Sequence, residues 1–180
     1  MTGDRILGLD PGSTHTGWAL IESDCSIVDF DKTENNALLD ALWYGHVPPG
    51  KRNATYDEWP TMGQEIPRRS VVEMVASYGM AVGASVFETC VWIGRFQEAI
   101  AASGYDPELV YRKDVKLHHC GVTRAKDANI RQALIDRFGG GASNGGKGSK
   151  ANPGWFWGMT ADAWQAYALA VYIADRDRNA

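Results

Sequence analysis

Residues 6–12 read ILGLDPG: a short apolar run ends on the carboxylate of Asp10 and then enters a Pro-Gly turn. A second apolar run covers residues 17–21, and a third follows at residues 26–30. Asp, Pro and Gly between apolar runs favour tight connections. The beginning of the chain therefore predicts a meander of antiparallel strands.

Further along, the pattern alternates between strands and helices. Residues 71–75 form an apolar, β-branched run, and residues 109–111 suit another strand. Ser85 and Glu88 have the spacing of a capping box and predict a helix that runs to about Ala102. Apolar residues at helical spacing predict further helices over residues 36–44, 126–138 and 160–175. Strands followed by strand–helix alternation indicate one mixed α/β domain.

Three acidic residues stand where a carboxylate is costly to bury. Asp10 closes the first apolar run, Glu73 interrupts the run at 71–75, and Asp162 opens an apolar, aromatic helix. Each has an ordinary alternative: Asp10 suits a turn, Glu73 the solvent side of a strand, and Asp162 a first helical turn. Together, however, such acids can converge at one edge of a sheet. Oxygen ligands select hard cations such as Mg²⁺ or Mn²⁺, and sites of this kind serve displacement at phosphorus.

The charge is unevenly distributed. The 180 residues carry a net charge of −4, yet residues 112–150 contain nine Lys or Arg and three Asp, which gives +6 there and leaves −10 elsewhere. The basic segment can attract phosphate, although an ordinary solvated face also explains it. The three scattered cysteines argue against a disulfide framework and for a reducing cytoplasm, and no apolar run is long enough to span a membrane.

Other groups of residues carry weaker signals. His118, His119 and Cys120 are good zinc ligands, but no second ligand pair follows at finger spacing. Residues 155–157 (WFW) suit the protein core better than a platform for base stacking. Residues 139–150 are rich in Gly and Ser and predict a flexible loop.

The ordered motifs resemble those of RuvC-type Holliday junction resolvases, a family of the RNase H-like superfamily. Residues 6–12, followed by Gly17-Trp18-Ala19, resemble the first motif, in which the Asp binds metal. Val72-Glu73 is similar to the second motif, and residues 161–170 look like the C-terminal one. Residues 115–126 resemble the stretch that carries DNA-contacting lysines. The resemblance extends over most of the chain.

The resemblance implies a single RNase H-like nuclease domain over residues 1–180, in which helices flank a mixed sheet of five strands, three antiparallel and then two parallel. Asp10 on the central strand, Glu73 on its parallel neighbour and Asp162 on the closing helix would be catalytic and bind two Mg²⁺ ions, which Mn²⁺ can replace. The implied DNA contacts are Lys116, Arg124, Lys126 and Tyr78. The implied reaction is phosphodiester hydrolysis in branched DNA, above all the Holliday junction, by a cytoplasmic homodimer.

The chain departs from the family pattern in three places. The second position on the last helix, an Asp in the family, is Gln165, which carries no charge. Tyr78 is the nearest counterpart of an aromatic residue that probes the junction. Residues 36–67 have no clear counterpart and are interpreted as an insertion or variable segment, which would suit a phage-encoded member.

Two other functions stay open. Gln165 would also suit a DNA-junction-binding protein of the same fold with weakened catalysis. Residues 10–14 (DPGST) also resemble the phosphate loop of sugar kinases and actin-like ATPases, although that fold needs two such domains and 180 residues hold one. A cleavage assay on branched DNA separates these hypotheses.

Overall fold

The computed structural model describes residues 4–52, 63–77, 79 and 81–180. The strands are β1 (Arg5–Pro11), β2 (His15–Glu22), β3 (Ile27–Glu34), β4 (His46–Val47), β5 (Gln64–Glu65), β6 (Arg69–Met74) and β7 (Glu108–Tyr111). The helices are α1 (Asn35–Trp43), α2 (Ala84–Ala102), α3 (Arg112–Cys120), α4 (Asp127–Phe138), α5 (Ser143–Gly146) and α6 (Ala163–Arg178). No helix among these residues is both long and apolar enough to cross a membrane.

The main sheet has five strands in the order β3-β2-β1-β6-β7. Strands β1, β2 and β3 pair antiparallel, whereas β6 runs parallel to β1 and β7 runs parallel to β6. This arrangement confirms the predicted mixed sheet flanked by helices. It also confirms that Asp10 lies on the central strand and Glu73 on its parallel neighbour, each as the second-last residue of its strand.

Alternation along the strands sends both acids to the same face of the sheet. On β1, Leu7 and Leu9 belong to the apolar cluster that includes α1 and α2, while Ile6 belongs to the cluster around α6. On β6, Val72 belongs to the first cluster and Val71 to the second. Because side chains point to alternate faces along a strand, Asp10 and Glu73 emerge on the face that α6 covers.

Helix α6 lies directly on this face because two glycines make room for it. A Cβ atom at Gly8 would lie 2.3 Å from the carbonyl oxygen of Ala166, and one at Gly17 would lie 2.1 Å from that of Asp162. Gly17 is also the cross-strand partner of Asp10. The close approach therefore brings the start of α6 next to the end of β1.

The capping-box prediction for Ser85 and Glu88 is wrong. Helix α2 begins at Ala84, and its N-cap, Gly83, offers no side chain to the helix. Ser85 lies inside the first turn, where its carbonyl accepts a hydrogen bond from the Thr89 hydroxyl at 2.9 Å. Helix α6 likewise begins at Ala163, later than the expected residue 160, and continues to Arg178.

The structure describes part of residues 36–67, predicted to be an insertion or variable segment, and all of residues 139–150, predicted to be a flexible loop. Within residues 36–67, α1 packs Leu38 and Leu42 into the core and β4 pairs with β5, while residues 53–62 lie outside the described residues. Residues 139–150 form turns and α5, and the carbonyl of the buried Gly146 accepts a hydrogen bond from the Phe156 amide at 3.1 Å. Whether the first segment is an insertion and the second is flexible stays a prediction.

Candidate active site

A cleft of about 390 Å³ lies where β1 ends. The residues around it include Asp10, Asp162 and Gln165, three positions that the sequence singles out, together with Arg112 and Asp127. These side chains come from the end of β1 and from the starts of α3, α4 and α6. The fold thus brings together residues that are far apart in the sequence.

Glu73 is joined to this cleft through Arg112. The guanidinium donates from Nε to Glu73 Oε1 at 2.6 Å, from Nη2 to Asp10 Oδ1 at 3.2 Å and from Nη1 to Asp127 Oδ2 at 3.0 Å. Arg112 can reach them because it begins α3 directly after Tyr111, which pairs with the last residue of β6. One cation therefore links carboxylates from β1, β6 and α4.

Burial dominates the electrostatics of the two strand carboxylates. Burial raises the pKa of Asp10 to about 7; the charge of Glu73 adds to the shift and that of Arg112 opposes it. Burial also raises the pKa of Glu73, again against Arg112. Although burial disfavours a charged guanidinium, Glu73 and Asp10 raise the pKa of Arg112, so this side chain stays charged. Such closely spaced acids hold their full negative charge only beside a cation.

Asp162 has a partner of its own. Its Oδ1 accepts a hydrogen bond from Lys32 Nζ on β3 at 3.0 Å, and its side chain is 47% exposed. Asp162 is the N-cap of α6 rather than a residue of the first turn, and its carboxylate makes no capping bond. Three residues later, the half-buried Gln165 lines the same cleft.

The predicted DNA-contacting residues lie beside the cleft or outside the described residues. Lys116 lies on α3 with its Nζ 3.9 Å from Asp127 Oδ1. Lys126 is the exposed N-cap of α4, one residue before Asp127, and Arg124 is exposed in the preceding loop. Tyr78 lies outside the described residues. A role of these residues in DNA binding stays a prediction.

The donor chemistry of the cleft fits a hard divalent cation, but Arg112 is hydrogen-bonded to two of the acids that would bind one. Asp10, Glu73, Asp127, Asp162 and Gln165 offer only oxygen donors, as Mg²⁺ and Mn²⁺ prefer. Among the described residues, however, no three His, Cys, Asp or Glu side chains are placed to hold one ion. The guanidinium of Arg112 lies between the acids instead.

The weaker signals of the sequence have structural roles. His118 Nε2 lies 2.8 Å from Asp175 Oδ2, and His119 Nε2 lies 2.8 Å from the carbonyl oxygen of Ala168. Burial lowers the pKa of His119 to about 4, so its ring is neutral. Phe156 is fully buried against Trp164, which agrees with the predicted core role of residues 155–157, although Trp157 is 39% exposed.

No family model matches the chain, and no curated protein matches it in sequence. Solved structures do match it. Thermus thermophilus RuvC is 16% identical with a TM-score of 0.63, over 97% of this chain and 96% of that one. T. thermophilus RuvC in complex with Holliday junction substrate is 13% identical with a TM-score of 0.62, over 97% and 95%.

The chain has a RuvC-like fold. This confirms the predicted RNase H-like architecture. At this level of identity the likeness concerns the fold, so the function must be argued from the cleft itself.

Charged residues of the cleft that the sequence does not single out are Lys32, Arg112 and Asp127. In the sequence, Arg112 stands out only as part of the basic segment, and Asp127 only as one of its three acids. The position of Asp127, directly after Lys126 at the start of a predicted helix, is a signal that could have identified it. The pairing of Arg112 with Asp10 spans 102 residues, however, and no local pattern predicts such a contact.

Proposed function

We propose that this protein is a divalent-metal-dependent endonuclease that hydrolyses phosphodiesters in branched DNA, above all in four-way junctions. One observation carries the proposal: Asp10 at the end of β1 and Asp162 at the N-cap of α6 line one cleft of a RuvC-like fold, and Arg112 joins Glu73 at the end of β6 to that cleft. Burying Asp10 and Glu73 costs free energy that a bound cation would offset.

The proposed metal ligands are Asp10, Glu73 and Asp162, with Gln165 and Asp127 next to them in the cleft. Two Mg²⁺ ions, or Mn²⁺ in their place, would activate a water molecule and stabilise the leaving oxygen. The chain would contribute the positions of the carboxylates. Because Gly8 and Gly17 have no side chains, the start of α6 can pack directly on the sheet, and the hydrogen bond from Lys32 orients the carboxylate of Asp162.

Basic residues next to the cleft would hold the DNA backbone. Lys116, Arg124 and Lys126 belong to the segment that carries a charge of +6 in an otherwise acidic chain. Lysine and arginine bind phosphates without reading bases, so these residues would set the position of the DNA rather than its sequence. Cleavage at the branch would then follow from the shape of the substrate.

A homodimer would suit a substrate with two-fold symmetry. The outer face of α2 supports this part of the proposal, because Phe87 and Val91 lie one helical turn apart and are 62% and 61% exposed. Gly94, near the next turn, would let a second helix approach closely. A related fold is known in complex with a Holliday junction substrate. The bacterial or phage-infected cytoplasm is the proposed location.

A second candidate is a junction-binding protein with weakened catalysis. Gln165 favours it, since the position lacks a charge, and so does Arg112, which neutralises acids that would otherwise bind metal. The two candidates share the DNA-binding surface and differ only in cleavage. The RuvC-like fold over 97% of the chain favours both over the ATPase hypothesis.

Binding and cleavage of four-way, three-way and linear DNA by the wild type, Asp10→Asn and Asp40→Asn would test the proposal. Asp40 is an exposed acid on α1 and serves as a matched control. We expect the wild type and Asp40→Asn to cut branched DNA with Mg²⁺, and Asp10→Asn to bind it without cutting. Cleavage by Asp10→Asn at the wild-type rate would reject the site. Tight binding without cleavage by the wild type in Mg²⁺ or Mn²⁺ would establish the second candidate.

A further inference from the structure

Arg112 satisfies three carboxylates at once, and each of its three nitrogens contacts a different acid. Nε contacts Glu73, Nη1 contacts Asp127 and Nη2 contacts Asp10. The acids come from three elements, β1, β6 and α4. The rigid fork of a guanidinium suits such a bridge, which a lysine ammonium cannot make in the same geometry.

The bridge also determines what the acids can bind. A side chain between Asp10 and Glu73 takes the space and the negative charge that a metal ion would use. This agrees with the finding that no three acids, histidines or cysteines of the described residues are placed to hold one ion. Arginine does not lose its proton in proteins, so opening the bridge costs free energy unless another cation takes its place.

The position of Arg112 allows it to leave. Its side chain is 29% exposed at the first residue of α3, and that of Asp127 is 55% exposed, whereas Glu73 is 9% exposed. The guanidinium can therefore swing outward towards the cleft opening while Glu73 and Asp10 stay in place on their strands. Once outside, it would face the side from which a phosphate enters, and guanidinium groups bind phosphate in a bidentate manner.

We propose that Arg112 is an internal counter-cation of the cleft, which a divalent metal ion must displace before Asp10 and Glu73 can bind it, and that Asp127 holds the displaced guanidinium at the edge of the site. This inference rests on the proposed function, since it assigns a second task to the same acids. Arg112 is thus a positioning residue that keeps the buried acids compensated until the metal arrives.

Mn²⁺ binding to DNA-free, metal-stripped protein, measured by calorimetry, tests the inference, together with the melting temperature in EDTA. The variants are Arg112→Gln, Arg112→Lys and Arg176→Gln. Arg176 is the matched control because it also bridges two acids, Glu108 and Asp177, but does so near the end of α6, away from the cleft. Arg112→Gln and Arg176→Gln each remove one positive charge, and Arg112→Lys keeps it.

We expect Arg112→Gln to bind Mn²⁺ about tenfold more tightly than the wild type, the factor that follows if about nine-tenths of the metal-free molecules hold the bridge. The same variant should melt at a lower temperature in EDTA, because its buried acids lack a partner. Arg112→Lys should fall between the wild type and Arg112→Gln in both measurements. Arg176→Gln should keep the wild-type affinity for Mn²⁺.

Equal or weaker Mn²⁺ binding by Arg112→Gln would overturn the inference. If the Gln variant does not fold, Mn²⁺ binding by Arg112→Lys that is no tighter than that of the wild type would overturn it instead. If the wild type cuts junctions while its Arg112 variants bind Mn²⁺ with unchanged affinity, only the inference fails. If neither the wild type nor the Arg112 variants bind Mn²⁺, the proposed nuclease function fails with it.

Discussion

At the scale of single residues, Arg112 offsets part of the negative charge of the carboxylates in and beside the cleft. Burial raises the pKa of Asp10 to about 7 and also raises the pKa of Glu73, so both acids resist ionisation. The guanidinium between them opposes this shift. The same pair would otherwise need a proton or a metal ion to offset its charge.

Gln165 gives a prediction about metal demand. The residue lines the cleft beside Asp10 and Asp162 but contributes no charge, and cation affinity rises with the number of charged oxygens. Gln165→Asp should therefore lower the Mg²⁺ concentration for half-maximal cleavage, and Gln165→Ala should raise it. Mn²⁺ should support the parent enzyme better than Mg²⁺ at equal concentration, because Mg²⁺ demands near-ideal octahedral geometry and gives up its water molecules reluctantly. If both variants need the same Mg²⁺ concentration as the parent for half-maximal cleavage, Gln165 does not contribute to metal binding.

A second residue-scale prediction concerns Asp175 on α6. Burial alone would raise the pKa of Asp175, but hydrogen bonds from Arg137 and His118 outweigh burial and lower the pKa to about 2. A lowered pKa in the folded state means that the stabilisation is present above about pH 4 and is lost as the pH falls towards 2. Asp175→Asn should therefore cost about 2 kcal/mol of unfolding free energy at pH 7, the usual contribution of hydrogen bonds to a charged group.

Denaturant titrations across this pH range check the prediction. The difference between Asp175→Asn and the wild type should shrink from pH 4 to pH 2. Asp177→Asn is the matched control, since Asp177 pairs with Arg69 at the surface and such pairs contribute about 0–1 kcal/mol. A constant difference over the whole range would show that Asp175 stabilises the helix by packing rather than by charge.

The sequence identifies a site residue where a charged side chain interrupts or ends an apolar run. Asp10 and Glu73 interrupt apolar runs, and their positions on adjacent strands are confirmed. Arg112 and Asp127 break no pattern, because charged residues are ordinary in a polar helix. Their pairing depends on the ends of β6 and β7 lying side by side, which only the folded chain determines.

At the scale of elements, the contact between α6 and the sheet positions the third acid. Gly17→Ala would place a Cβ atom 2.1 Å from the carbonyl oxygen of Asp162, so the start of α6 must move. We expect Gly17→Ala to lose most of its cleavage activity and about 1–3 kcal/mol of stability, as overpacked sites do. Both quantities can be measured on one preparation, by cleavage kinetics and by denaturation.

Gly83→Ala is the matched control for this change. A Cβ atom at Gly83, before α2, would meet no atom within 4 Å among the described residues. This variant should keep its activity and lose less stability than Gly17→Ala, because its main cost is that alanine is a poorer N-cap than glycine. If Gly17→Ala cleaves DNA as fast as Gly83→Ala, the backbone of Asp162 does not need its present position, and the assignment of Asp162 to the site is wrong.

The elements themselves are predictable to the extent that their apolar periodicity is strong. The β1–β2–β3 meander has short apolar runs separated by tight turns, and it is confirmed. Helix α3 escapes prediction because Val115 is its sole buried residue among the described ones, which leaves little apolar periodicity to detect. The predicted cap of α2 is misplaced because Ser85 and Glu88 satisfy a spacing rule without making the contacts behind it.

At the scale of the whole molecule, the uneven charge predicts how binding depends on salt. Each Lys or Arg that contacts a phosphate adds about one counterion to the salt dependence. Lys116→Ala and Lys126→Ala should each weaken binding to a four-way junction and make the slope of log K against log salt shallower by about one unit. Lys51→Ala, a surface lysine near Asp31 and outside the basic segment, is the control and should keep the wild-type slope. Unchanged slopes for both variants would show that residues other than Lys116 and Lys126 contact the phosphates.

The strand positions of cleavage on an end-labelled four-way junction test whether these acids catalyse a symmetrical cut, because they report the activity of Asp10 and the two-fold symmetry in one measurement. With Mg²⁺, the wild type should cut two opposite strands at symmetrical positions near the branch, and Asp10→Asn should leave all strands intact while still shifting the junction in a native gel. A wild-type protein that binds the junction and cuts no strand in Mg²⁺ or Mn²⁺, or an Asp10→Asn variant that yields the same two cuts, would contradict the account.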